Sequence, residues 1–406
     1  MDPVICVVGI GADGWEGLPR GSRVLIEGAD VVVGGQRHLA MLPAMDAVLE
    51  GWPSPLLERL PALVEKYAGQ RLVVLASGDP LLSGIGSNLV ALLGSEHVEV
   101  VPAVSSVAWA RARMRWSAES TDVVSLVGRD VDDVRRLLSP GRRLVVLSSD
   151  GQTPAEVARV LVESGFAQSM LTVLSDLGAR QEQRIERTAT GWLAVDAPPL
   201  NVVCVECRRG DTQTALLPTV PGLPDAAFEH DGQLTKRDLR ASALARLSPF
   251  PGQLLWDVGA GAGSVAIEWM RTDPRCRAVA IEADQDRAAR ITRNAGRLGV
   301  PSLEVHHASA PEGLAGLPAP DAVFVGGGAC EPGVHDACWE ALRPGGRLLV
   351  HAVTLETEET VIAHYRRLGG ELTRLSIERA TPIGSFTGWT PARAIVQWAV
   401  TKEDRP

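Results

Sequence analysis

Short apolar runs rich in β-branched residues recur along the chain, and the stretches between them space their apolar positions as helices do. Between residues 3 and 207 the runs are Val4–Val8, Val31–Val33, Leu72–Ala76, Val98–Val101, Val123–Val127, Leu144–Leu147, Leu171–Leu174 and Val202–Val205. Such alternation predicts an α/β architecture with much parallel pairing. Residues 209–230, rich in Pro, Gly, Asp and Thr, read as a linker. A second series follows: Leu254–Val258, Ala278–Ile281, Leu303–His306, Ala322–Val325, Arg347–His351, Leu372–Glu378 and Ala394–Val400. The expected domains are 1–208 and 231–406, since 406 residues exceed the size at which one core keeps growing.

Composition narrows the class. With 45% hydrophobic and 22% charged residues the chain reads as soluble and globular. A net charge of -9 without any Lys/Arg-rich run argues against nucleic acid as a partner. Met1-Asp2-Pro3-Val4-Ile5-Cys6 has no basic segment before its apolar run, so no signal peptide is expected. No apolar run approaches a membrane span, and a cytoplasmic enzyme is the expectation. The cysteines at 6, 204, 207, 276, 330 and 338 are scattered. The C-x-x-C of Cys204 and Cys207 lies in a strand-like run with no second pair, so packing cysteines and no metal are expected.

The sharpest chemical signal is Leu254-Leu255-Trp256-Asp257-Val258-Gly259-Ala260-Gly261-Ala262-Gly263, an apolar strand running into alternating glycines. The next strand, Ala278-Val279-Ala280-Ile281, ends in Glu282. Glycines that allow close backbone approach, with an acid at the next strand tip for ribose hydroxyls, predict a nucleotide-type cofactor pocket. Dinucleotide enzymes use G-x-G-x-x-G, whereas here Ser264 takes the third glycine's place and Gly263 comes one residue early. The D-x-G-x-G-x-G form resembles the first motif of class I S-adenosylmethionine (SAM) methyltransferases. That resemblance implies SAM and a Rossmann-like seven-stranded sheet whose last strand runs antiparallel.

In the first half, Gly9-Ile10-Gly11-Ala12-Asp13-Gly14 satisfies the dinucleotide spacing but not its context. Trp15-Glu16-Gly17-Leu18-Pro19 does not read as a helix opening, and Val31-Val32-Val33 ends in Gly34-Gly35 where an acid is required. NAD and FAD are not expected there. Two other strand ends carry polar groups: Leu75-Ala76-Ser77-Gly78-Asp79-Pro80 and Val101-Pro102-Ala103-Val104-Ser105-Ser106. Together with Val7-Val8-Gly9-Ile10-Gly11, Val32-Val33-Gly34-Gly35-Gln36-Arg37-His38-Leu39 and Leu200-Asn201-Val202-Val203, these blocks resemble the tetrapyrrole methylase family over residues 3–207. The likeness implies two α/β subdomains with SAM in the cleft between them, and it implicates Gly11, Gly78, Asp79, Leu82, Ser105 and Ser106 in that site. The first loop departs from the family's G-x-G-P-G-D form, reading Ala12-Asp13-Gly14-Trp15.

In the second half, Thr235 and Asp238 nearly match a capping box, while Lys236, Arg237 and Arg240 would alternatively meet an acidic substrate. Ser309 in Ala308-Ser309-Ala310-Pro311 stands where class I enzymes often place an adenine-contacting Asp. The fourth strand ends in bare Gly326-Gly327-Gly328, with no N-P-P-Y-like motif for an attacking nitrogen, which suggests a bulky acceptor. Residues 230–400 resemble the decarboxylating precorrin methyltransferases that act at C15, through Leu254–Gly263, Ala308–Pro311, Asp321–Gly328, Leu342–Arg347, Ala352–Glu356, Pro382-Ile383-Gly384 and Gln397-Trp398. The implied cofactor contacts are Thr235, Asp257, Gly259, Gly261, Gly263, Glu282, Ser309 and Ala310. His351 occupies the head of a block where that family carries Asn, and reads either as a proton donor or carboxylate partner or as a packing residue. His306 and His307 point to opposite faces of a strand, so they share no metal.

The two resemblances in this order match the fused, bifunctional methyltransferases of cobalamin biosynthesis. They imply methylation of a precorrin-6 ring at C5 and C15 with two SAM, and decarboxylation of its C12 acetate, giving precorrin-8X. Loss of CO2 releases electrons into the conjugated ring and makes a meso carbon nucleophilic, so no nucleophilic side chain or metal is needed. Carboxylate partners would be Arg37, Lys236, Arg237 and Arg240. A homo-oligomer is expected, with neither nucleic acid nor membrane as partner. The alternatives are a two-site SAM methyltransferase acting on tRNA or protein, and a SAM-sensing scaffold without turnover.

Overall fold

Every apolar run predicted as a strand overlaps an observed one in the computed structural model, which describes residues 5–192, 195–211 and 214–403. Val4, the start of the first predicted run, lies outside the described residues. The chain divides into two units, 1–131 with 138–214 and 132–137 with 215–406.

The first unit holds two five-stranded sheets. Strands β1 (Ile5–Ile10), β2 (Val31–Gly34), β3 (Val48–Gly51), β4 (Leu72–Ser77) and β5 (Val98–Val101) pair in parallel in the order β3-β2-β4-β1-β5. The inner strands are buried almost throughout, which is why they read as continuous apolar runs. The second sheet comprises β6 (Asp122–Ser125), β7 (Arg143–Leu147), β8 (Met170–Ser175), β9 (Gln183–Thr188) and β10 (Asn201–Glu206), in the order β6-β7-β10-β8-β9. Here only β6 and β7 are parallel, against the expectation of mostly parallel pairing. The reason lies in the connections. The segment 176–182 between β8 and β9 is too short for a crossover, so the two form a hairpin, and β10 runs antiparallel to both its neighbours. Neither β3 nor β9 was announced by an apolar run: β9 is polar and largely exposed, and β3 offers only Val48-Leu49, both exposed.

The second unit has one seven-stranded sheet, built from β11 (Leu254–Val258), β12 (Arg277–Glu282), β13 (Glu304–His307), β14 (Ala322–Val325), β15 (Arg347–Ala352), β16 (Glu371–Leu375) and β19 (Ile395–Thr401). The order is β13-β12-β11-β14-β15-β19-β16, with β19 antiparallel to both its neighbours. The predicted run Leu372–Glu378 stops early, because β17 (Glu378–Ile383) and β18 (Phe386–Pro391) form a separate hairpin around Gly384 and Ser385. Residues 217–228, expected as linker, are instead anchored to the second unit. Leu223 and Phe228 are buried in the core that contains Leu255 and Trp269. The Gly222 and Leu223 amides donate to the Glu268 carboxylate at 2.5 and 3.0 Å, and Arg271 donates to the carbonyls of Leu217 and Pro218.

All six cysteines are unbridged. Burial pushes the Cys204 and Cys207 thiols up to about 12, so they pack as inert apolar groups. Among the described residues no helix is long and apolar enough to cross a membrane.

Candidate active sites

In the second unit the carboxyl ends of β11, β12 and β14 open onto a cleft of about 1080 Å³. Its floor is the glycine turn between β11 and the helix Ser264–Thr272. Gly259, Gly261 and Gly263 all have positive φ. A Cβ on Gly259 would lie 2.6–2.7 Å from the backbone of Gly327, and one on Gly261 would lie 2.8 Å from the Gln233 carbonyl oxygen. The glycines are therefore demanded first by backbone packed on backbone, a requirement that exists before any ligand arrives.

Beside this turn Glu282 at the tip of β12 accepts from the Gly261 amide (Oε2, 2.7 Å) and from the Asp284 amide (Oε1, 3.1 Å). It lines the cleft with Thr235, Ser309 and Ala310, so the structure brings these predicted cofactor residues together with Gly259 and Gly261. Asp257 and Gly263 stand behind the lining. The Oδ2 of Asp257 accepts from the Ala266 amide at 2.9 Å and its Oδ1 has no partner. Burial, with the Glu282 charge adding to it, pushes this carboxyl up to about 7. Asp257 thus supports the turn and does not reach the cleft.

Three predicted roles need correction. Arg240 is wholly enclosed: Nε donates to Glu268 at 2.5 Å, Nη1 to Asp225 at 3.4 Å, and its guanidinium also donates to the carbonyls of Leu223 and Thr235. A side chain with its donors committed inside the core cannot meet a substrate. Arg237 is exposed outside the cleft lining, its amide held by Asp225. No capping box forms either, since Lys236 is the N-cap of the helix Arg237–Leu247 and makes no side-chain cap bond. Lys236 itself does line the cleft.

His351 lines the cleft from the tip of β15. Its Nε2 donates to Gln397 Oε1 at 2.9 Å, and its ring packs edge-on against Phe324 at 5.0 Å. Burial pushes its pKa down to about 4. The ring is neutral at physiological pH and its proton is engaged, so the proton-donor reading does not fit; Nδ1 is left as an acceptor. The sequence reading missed Arg379 and Arg393, which reach the same cleft from β17 and from the segment between β18 and β19. The two-residue Gly384-Ser385 turn was the available signal.

The first unit has its own cleft, about 380 Å³, where the tips of β1 and β4 face Leu174, Asn201 and Val202 of the second sheet. Gly11, Gly78, Leu82 and Ser106, four of the residues implicated in the cofactor site, line it. Asp79 and Ser105 do not. The Asp79 Oδ1 accepts from the Leu81 amide at 2.9 Å, and Ser105 Oγ caps the helix Ser106–Met114 by accepting from Ala108 at 3.1 Å. These two side chains shape the loops. Gly78 ties three loops together, its amide donating to Ile10 and its carbonyl accepting from Ala103. A helical turn, Gly14–Gly17, follows the first glycine loop after all, yet β2 still ends in glycine where a dinucleotide site requires an acid.

Arg37 lines this cleft too. Its Nη2 lies 2.8 Å from His38 Nε2 and 3.3 Å from Ser77 Oγ, and its Nη1 is buried without a partner. Because a guanidinium only donates, His38 Nε2 must accept, which puts the imidazole proton on Nδ1. Burial, aided by the Arg37 charge, pushes His38 down to about 4 and keeps it neutral.

Both clefts lie at the carboxyl ends of parallel strands, where α/β sheets hold ligands. The larger slightly exceeds the roughly 300–1,000 Å³ of a single small-molecule site, which leaves room for donor and acceptor together. An acid beside a glycine turn fits an adenosine-bearing cofactor there. Among the described residues no group of three or more His, Cys, Asp and Glu side chains could hold a metal.

Comparison with known proteins agrees with this division. Residues 4–193 match the family model described as Tetrapyrrole (Corrin/Porphyrin) Methylases, and residues 226–402 match the Precorrin methyltransferase domain. A cobalt-precorrin-7 C(5)-methyltransferase of Salmonella typhimurium is 33% identical over 48% of this chain and 92% of its own. A protein of Pyrobaculum calidifontis described as "Probable cobalt-precorrin-6B C(15)-methyltransferase (decarboxylating)" is 35% identical over 42% of this chain and 90% of its own. One relative spans both halves: the precorrin-6Y C(5,15)-methyltransferase [decarboxylating] of Sinorhizobium sp is 46% identical over 99% of this chain and 97% of its own length. With both halves matched in order and almost end to end, the chain belongs to the decarboxylating precorrin-6Y C(5,15)-methyltransferase family.

Proposed function

We propose that this chain methylates C5 and C15 of the precorrin macrocycle and removes CO2 from its C12 acetate, with one SAM site in each unit. Methyltransferases of this family use SAM. The observation that carries the two-site reading is the presence of two strand-tip clefts, one wholly within each unit. The first unit, with the tetrapyrrole methylase match, takes C5; the second takes C15 and the decarboxylation.

Bound SAM supplies a sulfonium methyl for transfer to a ring carbon. In the second cleft the Glu282 carboxylate is placed to take ribose hydroxyls, exchanging one of its amide partners for them. Ser309 offers a hydroxyl in place of the acid expected near an adenine. Gly326 and Gly327 leave the tip of β14 free of side chains, so a flat macrocycle can approach. Neutral His351 presents an unprotonated Nδ1, suited to holding a proton-bearing group and unsuited to delivering a proton. The cleft's work is then alignment and exclusion of water.

The test is a full-length Gly261→Arg variant, whose side chain, at positive φ and against the Gln233 backbone, displaces the glycine turn beneath the second cleft. The expected product carries the C5 methyl, lacks the C15 methyl and retains the C12 carboxyl by mass spectrometry. C15 methylation and CO2 release at wild-type rate would sink the assignment.

A further inference from the structure

Charges of both signs line the second cleft. The tip of β12 and the turns after β13 and β14 contribute the acids Glu282, Glu312 and Glu331. Other elements contribute cations: Lys236 at the helix start, Arg379 on β17 and Arg393 just after β18. A fourth cation, Arg287, is occupied by Asp231 at 2.8 Å. Carbon methylation requires no cationic side chain, and a sulfonium donor is disfavoured beside one. The acids therefore suit the donor, and the cations suit an acceptor of the opposite sign.

The hairpin presents these arginines as a pair. The Ala392 amide donates to the Ile377 carbonyl at 2.8 Å and closes the hairpin base, while Arg379 sits opposite Thr390 on the neighbouring strand. The base of the hairpin thus brings both guanidinium groups to the cleft. Arg393 makes no hydrogen bond or ion pair among the described residues. Arg379 donates to Asp238 Oδ2 at 2.7 Å, and both partners are about half exposed. Asp238 belongs to the first turn of the helix Arg237–Leu247 and is not part of the cleft lining. It offers Arg379 the same chemical group that an acidic acceptor would.

We infer that Arg379 and Arg393 form the clamp for a carboxylate of the acceptor, and that Asp238 is its internal competitor, exchanged for the acceptor carboxylate on binding. A planar guanidinium matches a carboxylate with two parallel donors, and an exposed ion pair is weak enough to be exchanged. The inference rests on the polycarboxylate ring acceptor proposed above and assigns recognition of that ring to the hairpin.

The experiment uses the full-length chain and its Arg379→Gln, Arg393→Gln, double and Asp238→Asn variants. KM and kcat for C15 methylation are measured together with SAM affinity by calorimetry. Binding of an octacarboxylate porphyrin and of its fully esterified form is followed by absorbance. Each arginine variant should raise the acceptor KM roughly fivefold and the double variant more, with kcat and SAM affinity little changed. Arg379→Lys should recover part of the loss. Asp238→Asn should lower the KM, an outcome that a merely structural Arg379–Asp238 pair would not produce. Discrimination between acid and ester porphyrin should shrink in the double variant. Wild-type turnover with an unchanged KM in the double variant would overturn the clamp alone. Absence of turnover by the wild-type chain, with no preference for the acid porphyrin, would overturn the acceptor reading and the clamp with it.

Discussion

Arg240 and His351 both carry ionisable groups into the second unit, and they do so with opposite electrostatic solutions. Arg240 keeps its charge and is met by Glu268 and Asp225. Arg240→Met should destabilise the chain by roughly 3–5 kcal/mol in urea unfolding, because it strands the buried Glu268 charge. A loss below about 1 kcal/mol would mean that the Gly222 and Leu223 amides suffice to hold the carboxylate. His351 gives up its charge. Its pKa falls from 6.5 to about 4, so between those values the unfolded chain binds a proton that the folded chain refuses. Its contribution to stability is complete above pH 6.5 and is lost as pH falls toward 4. His38 and His335 behave alike. Asp257 opposes them: raised from 3.8 to about 7, its contribution is present below pH 3.8 and lost as pH rises through 7. His351→Gln should therefore flatten the fall in unfolding free energy between pH 6.5 and 4, by an amount on the order of 3 kcal/mol at most. An unchanged slope would show that the imidazole titrates normally.

Among the elements, the glycine turn after β11 is an exacting one. Gly259→Ala places a methyl against the Gly327 backbone at a φ of 67°, so the turn must shift. The expected outcome is about 1–3 kcal/mol of strain and loss of SAM binding to the second cleft by calorimetry, with the first cleft unaffected. This turn was legible in the sequence because its spacing is a local backbone requirement. The hairpin was not. Glu378–Pro391 alternates no apolar face, and burial that would reveal a strand is absent there. Arg240 was misjudged for the opposite reason: nothing local distinguishes it from Lys236 and Arg237, and only its packing against Glu268, far along the chain, does. Asp79 and Ser105 sit at the expected strand tips, but that their side chains bond their own loops was not legible, since such bonds are decided by dihedrals that residue type leaves open. Their alanine variants should loosen loops more than they remove ligand contacts, raising KM for SAM in C5 methylation without abolishing it.

For the whole molecule, two clefts in two units predict a SAM stoichiometry of two per chain by calorimetry, reduced to one in Gly261→Arg. A wild-type value of one would remove the first cleft as a donor site. Fold class was legible at this scale because buried parallel strands print themselves as continuous apolar runs. Sheet order within the first unit was not, since antiparallel insertion of β10 depends on short connections and not on its own composition.

Both β10 and β19 come last in their units yet lie inside their sheets, each between two other strands. During synthesis on the ribosome neither sheet can be completed until its final strand has emerged. A nascent chain stopped before Ile395 would expose facing backbone edges of β15 and β16 to other chains, a template for aggregation. Premature termination would thus be signalled by sticky strand edges as well as by lost activity, and deletion from Ile395 onward should send the protein to the insoluble fraction.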